Sequence, residues 1–308
     1  MLKYTLKRLL HLLPVFIGAT FLIFAMVFAL PGDPIRALAG QNPLPESVVA
    51  AMRAKYHLDE PLFTQYFLYM ANLFQGDLGT DFNDRSVSSL IAASWPATFK
   101  LGITAWLIEI LVGIPLGLWM GLRRGKVDDV IGRVLTVLVI SVPVFVIGFS
   151  LQMVIGVQLG WLPVSSDRLG WPLSYLLPGL VLAVYGLASI ARLLRSSIAE
   201  NMQSDFVKAA KAKGLTRSRV VRVHIVRNSL IPVVTLLGID LAALMGGAIL
   251  IEGIFNLPGM GNQIFAAIGA HNGPVIVGIS TMLIIIFLIG NLVVDLVYAS
   301  LDPRIRLD

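Results

Sequence analysis

The sequence predicts an all-α membrane protein with six transmembrane helices and both termini cytoplasmic, and three observations carry that prediction. Of 308 residues, 56% are hydrophobic and 14% charged, with a mean hydropathy of +0.82, too apolar for a soluble domain of ordinary usage. The apolar residues gather into six runs that can cross a bilayer. With both ends placed inside, 18 of the 24 Lys and Arg fall in inward segments, as the positive-inside rule demands. The net charge of +6 is therefore read as topology and not as a nucleic-acid footprint, because the cations are not interleaved with exposed aromatics. There is no cysteine, which excludes disulfides, thiolate catalysis and Cys-type metal sites.

Lys3, Lys7 and Arg8 precede the run Leu9 to Leu30, about 33 Å long at 1.5 Å per residue. No small-x-small cleavage pattern precedes Pro31, so residues 1–30 are expected as a tail and an uncleaved first span. Pro31-Gly32-Asp33-Pro34 breaks the helix and opens a polar segment, 31–97. Its seven acidic residues outnumber four basic ones, which places it outside. Within it, Pro45 to Tyr56 and Leu62 to Phe74 have helical periodicity with exposed polar faces, a small subdomain suited to receiving a delivering protein.

Residues 98–308 are expected as a five-helix core. The second span, Thr98 to Leu122, sets Gly113, Gly117 and Gly121 at four-residue steps. Such spacing lets helices approach closely in lipid, and packing within the chain's own bundle is a better reading than a dimer seam. The third span, Val134 to Leu159, should kink at Pro143 and leave the membrane at Trp161-Leu162-Pro163. The fourth, Leu176 to Ala191, is short enough to need Tyr175 and Arg192 snorkelling at its ends. The fifth runs from Leu230 to Ile254 and the sixth from Pro274 to Tyr298.

Between the fourth and fifth spans lies a polar island, Arg192 to Ser229, with nine basic and two acidic residues. Ser204 and Asp205 suit a helix start, and Gly214 suits a left-handed stop. Phe206, Ala209, Ala210 and Lys213, at i, i+3, i+4 and i+7, share one helical face. A second helix is expected from Thr216 to Pro232. On the residues alone the island is either a long inward loop or a short helix that fits a groove on a partner, with Phe206 as its apolar anchor.

Catalytic signatures fail. Gly125-Lys126 has Met120 and Val127 where a P-loop requires Gly and Ser or Thr, and the four histidines have no metal-ligand spacing. Four positions remain for a translocation path or gate. Glu109 and Asp240 are carboxylates within spans, where a charge costs about 3 kcal/mol; Glu252 and Phe255 sit before an outer turn. Helix–helix hydrogen bonding is the competing role for each carboxylate.

Several strings together resemble the dipeptide, oligopeptide and nickel permease family of ABC importers, B-type subunit. They are Pro31-Gly32-Asp33-Pro34, Asp205-Phe206-Val207-Lys208-Ala209-Ala210-Lys211-Ala212-Lys213-Gly214-Leu215, His224, Arg227-Asn228, Glu252, Phe255, Pro258-Gly259, Gly261 and Asp302-Pro303-Arg304-Ile305-Arg306. The resemblance implies a type I ABC importer permease fold in a bacterial inner membrane. It further implies that 205–215 is a coupling helix on a cytoplasmic ATPase, with Ala209, Ala210 and Gly214 in close contact, Phe206 as anchor and Asp205 as the helix-start carboxylate. Lys208 departs from the broader pattern, which has Glu before the two alanines. No cofactor is expected on this chain. ATP and Mg belong to two ATPase subunits, a second related permease completes a heterodimer, and an extracytoplasmic binding protein delivers cargo, with peptides the best class. A free-standing secondary transporter or channel, motivated by the intramembrane carboxylates, is the alternative.

Overall fold

The computed structural model describes residues 2–29, 35, 45–165, 169–246 and 248–301, so the Pro31–Pro34 break and the Asp302–Arg306 string lie outside it. Five helices are long and apolar enough to cross a membrane: α1 (Leu2–Phe28), α4 (Val87–Leu122), α7 (Leu173–Asn201), α9 (Arg217–Met245) and α12 (Gly273–Leu301). A sixth candidate is a helix pair, α5 (Val127–Ser141) followed by α6 (Val144–Gln158), bent by 101° at the break. Counted as one broken span the pair completes the expected six, with Pro143 making an elbow in place of the expected kink. Val142 is extended and Pro143 has no N–H, so the ladder stops and restarts in a new direction.

Three further spans differ from their expected limits. α4 begins at Val87, eleven residues before Thr98, because the Ser- and Ala-rich turns of 87–97 bury Val87, Ile91 and Ala97 while Ser94 donates to the Leu90 carbonyl. α7 is 29 residues long and needs no snorkelling to cross; its last ten residues are the start of the polar island. α9 begins at Arg217 and passes through Pro232 without a break, then gives way near Gly246 to a separate short helix, α10 (Ile249–Ile254). Only residues 202–216 of the island lie outside these two long helices.

The core is built on α7. Gly113, Gly117 and Gly121 of α4 lie against Leu187 and Ile190, Ala191 and Leu194, and Ile198 of α7, one contact per turn. The glycine stripe is therefore an internal seam, as expected. Toward the C-terminal end of α7, Arg195 donates two hydrogen bonds to Asp129 of α5, at 2.9 and 2.8 Å, and the Gly125 N–H adds a third at 3.0 Å.

The segment 31–97 contains α2 (Glu46–Lys55) and α3 (Leu62–Phe74), close to their expected limits. Tyr66 and Met70 of α3 are buried against α1 and α12, and Tyr66 Oη lies 2.9 Å from Thr20 Oγ1. Tyr69 Oη donates to Thr281 Oγ1 at 2.8 Å, and burial pushes that phenol up to about 12, so it remains a donor. The expected polar outer face of α3 is not found. Phe63, Phe67 and Phe74, which share one side, point outward instead. The loop after α3 is organised by Asp81, whose carboxylate accepts from the Asn83 and Arg85 amides and from Arg85 Nε. Lys55 donates to Asp84, a contact that holds its ammonium above the ordinary 10.5.

Candidate functional site

The short helix of the polar island, α8 (Asp205–Ala212), is bounded as its sequence suggests, with one change of partner. Ser204 holds the N-cap position, but its hydroxyl donates back to the Asn201 carbonyl at 2.6 Å and accepts from no N–H of the first helical turn. The end is a Schellman motif. Gly214 has φ +77°, its N–H donates to the Lys211 carbonyl, and the Leu215 N–H reaches the Ala210 carbonyl at 3.2 Å. A Cβ at Gly214 would meet nothing, so only the backbone conformation requires glycine there. Gly214→Val is expected to destabilise the local turn by about 1–2 kcal/mol, read as faster proteolysis at 213–216, whereas Gly214→Asn, which tolerates this region, is expected to stay near wild type.

The expected contact face of α8 is divided by the structure. Val207 and Ala210 are buried in a cluster with Ile190, Leu194 and Ile198 of α7 and Val220, Ile225, Val233 and Leu237 of α9. Ala210, one of the expected close-contact positions, therefore faces its own chain. What α8 presents outward is Asp205, Phe206, Ala209 and Lys213, while Leu215 packs against the cluster. Asp205 and Lys208 form an exposed ion pair at 2.8 Å, so the lysine that replaces the family's glutamate is engaged with the helix-start carboxylate. Asn201 Nδ2 donates to Ser229 Oγ at 3.0 Å and ties the two flanking helices together.

Glu109 opens a π-helical turn, Glu109–Gly113, in the middle of α4. Its carboxylate is 1% exposed and lies on Gly186 of α7, where a Cβ would collide with it. Asp240 of α9 is near enough for the two charges to interact, and one turn away Trp106 Nε1 donates to the Leu237 carbonyl at 2.9 Å. Glu109 Oε2 and Asp240 Oδ2 are both buried without a hydrogen-bond partner among the described residues. Asp295, by contrast, pairs with Arg8 at 3.1 Å.

Glu252 and Phe255 occupy the interior. Thr98 Oγ1 donates to Glu252 Oε1 at 2.7 Å and accepts from the Met260 N–H at 2.9 Å, and the Asn262 N–H donates to Oε2 at 3.1 Å. The carboxylate thus fastens α10 and the start of α11 (Met260–Gly269) onto α4. Gly259 and Gly261 leave the room it needs, since a Cβ on either would strike it. Phe255, 1% exposed, packs among Leu101, Leu177, Val181 and Leu257. Glu252 and Phe255 are brought together as an anchor, whereas Glu109 and Asp240 form a separate pair deeper in the bundle. Two elements of this arrangement went unnoticed in the sequence: Thr98, which the start of a span conceals, and Asp129, which looks like one more loop acid.

With this geometry in place, two family models account for nearly the whole chain. Residues 113–307 match the binding-protein-dependent transport system inner membrane component, and residues 1–102 match the N-terminal region of the same membrane components. The chain belongs to this family. It is an ABC importer permease of the peptide group, and the free-standing transporter is set aside. The permease is 38% identical over 308 residues to the glutathione transport system permease protein GsiC of Salmonella choleraesuis, covering 99% of each chain. It is also 38% identical to the oligopeptide transport system permease protein OppB of Haemophilus influenzae, covering 99% of the permease and 100% of that protein. In fold it resembles the inward-facing MetNI methionine ABC transporter, with a TM-score of 0.57 at 18% identity over 70% of the permease and 97% of that chain.

Proposed function

We propose that this permease forms, with a second related permease subunit, the passage of a heterodimeric importer for short peptides or glutathione-like molecules. A binding protein outside the membrane delivers the cargo, and two cytoplasmic ATPase subunits hydrolyse Mg·ATP. The names of its relatives support the substrate class, and the sorting of Lys and Arg supports cytoplasmic termini. One observation carries the coupling role: α8 is clamped by Val207 and Ala210 into the junction of two unbroken membrane-crossing helices while Phe206 and Ala209 remain outside. Closure of the ATPases would move α8 as a rigid knob, and α7 and α9 would carry the motion across the bilayer.

The test uses the absence of cysteine in the chain. In the assembled transporter, Ala209→Cys is expected to cross-link to a cysteine scanned across the ATPase surface, and Ala210→Cys is expected to remain silent. Docking at α8 is refuted when neither Ala209→Cys nor Phe206→Cys links to any ATPase position. Glu252 and Phe255 contribute to the outer gate in this reading by fixing α10 and α11, while Glu109 and Asp240 set the charge of the bundle beside the path.

A further inference from the structure

A cavity of about 520 Å³ opens between α5 and α7 near their inner ends. Its lining mixes Arg133, Arg192, Arg195 and Ser196 with Val130, Val134, Val137 and Leu138. Along α5 and α7 the arginines lie toward the polar island, and Val134, Val137 and Leu138 lie in the uncharged run that follows Arg133. Leu173 to Ala191 of α7 holds no charged residue, which at 1.5 Å per residue is about 28 Å, one bilayer core, and Arg192 is the first charge after it. Arg133 is likewise the last charge on α5 before an uncharged run.

The arginines are under-neutralised. Asp129 is the acid among them, and its oxygens are taken by Arg195 and the Gly125 N–H, leaving Arg133 at 3.7 Å. Arg192 makes no hydrogen bond or ion pair with any described residue. Two positive charges are left over at the mouth of an apolar slot. An apolar helix of another subunit seated there would desolvate both without a counter-charge, at a cost of several kcal/mol. A phosphodiester with an acyl chain satisfies both kinds of lining at once, the guanidinium forks taking the phosphate oxygens and the valines and leucine taking the chain.

We propose that this slot binds one anionic glycerophospholipid of the inner leaflet, with Arg133 and Arg192 on its phosphate. Assignment to the inner leaflet rests on the orientation proposed above. The lipid would fill the angle between α7 and α5, next to the helix that leads into α8.

The test is a titration of the complete transporter in mild detergent with phosphatidylglycerol, phosphatidylcholine or inorganic phosphate, bound molecules being counted by native mass spectrometry. Wild type is expected to hold phosphatidylglycerol selectively and to take neither of the others. The double variant Arg133→Gln/Arg192→Gln is expected to lose about thirtyfold in affinity, at about 1 kcal/mol per arginine. Arg133→Lys/Arg192→Lys keeps most of the binding, and Arg222→Gln, outside the slot, keeps all of it. The proposal is overturned if phosphatidylcholine binds equally well, if the double Gln variant binds as wild type does, or if Val137→Cys cross-links to the second permease in place of lipid. Co-purification of the ATPase subunits is scored in the same samples. Their loss from wild type counts against the coupling reading, whereas lipid retention is read independently.

Discussion

Replacing Gly117 with valine is expected to cost about 3 kcal/mol and to remove most of the folded permease from detergent extracts. A Cβ at this position would come within 2.8 Å of the Ala191 carbonyl oxygen and 2.9 Å of Leu194 Cβ. The obstacle is largely the backbone of α7, which cannot rotate away as a side chain would. The only relief is to separate α4 from α7, and the contacts at Gly113 and Gly121 go with it. In lipid no hydrophobic force restores them, because the bilayer solvates leucine as well as the helix partner does. Gly18→Val on α1, where a Cβ meets nothing within 4 Å, is the control and is expected to extract at the wild-type level. Fluorescence-detected size exclusion of the two variants measures the difference; equal yields of monodisperse protein would show that the seam is not needed for stability.

Glu252→Ala is expected to loosen this anchor by about 3 kcal/mol, since the Thr98 hydroxyl and the Asn262 amide both lose a buried acceptor. Hydrogen exchange at the Asn262 amide then rises about a hundredfold, a factor of ten for each 1.4 kcal/mol. The inner end, including the α8 turn, is expected to exchange as in wild type. Glu252→Gln lies between the two, because one oxygen still accepts from Thr98 while the new amide NH₂ opposes the Asn262 N–H. Unchanged exchange in the alanine variant would mean that the hairpin is held by Phe255 and Leu257 alone.

Much of this was legible in the residues. The apolar runs gave the six crossings, the glycine spacing gave the α4–α7 seam, and the polar stretch before Gly214 gave α8 almost to the residue. Less legible was which arc of α8 turns inward. Phe206, Ala209, Ala210 and Lys213 do share a side, but Val207 and Ala210, three residues apart and both apolar, form the arc that the neighbouring helices cover. The limits of the spans were hidden for a related reason. A polar residue ends an apolar run without ending a helix, and the charged turns of α7 from Arg192 onward are stabilised by Asp129, a residue more than sixty positions away in the chain. Glu252 is ambiguous by nature, since a carboxylate beside a Pro-Gly turn suits an opening as well as a bolt until Thr98 is seen beneath it.

The Glu252 bolt also determines where a push at α8 must end. α9 leaves the α8 junction as one rod and delivers its far end to α10, which is pinned to α4; α4 runs back along α7, and α7 returns to α8. These helices close a ring, like the frame of a folding gate. In the proposed coupling, a shove of the knob is therefore returned as a shear of the α10–α11 hairpin at the opposite end of the bundle, and a load settling on that hairpin is felt at the knob.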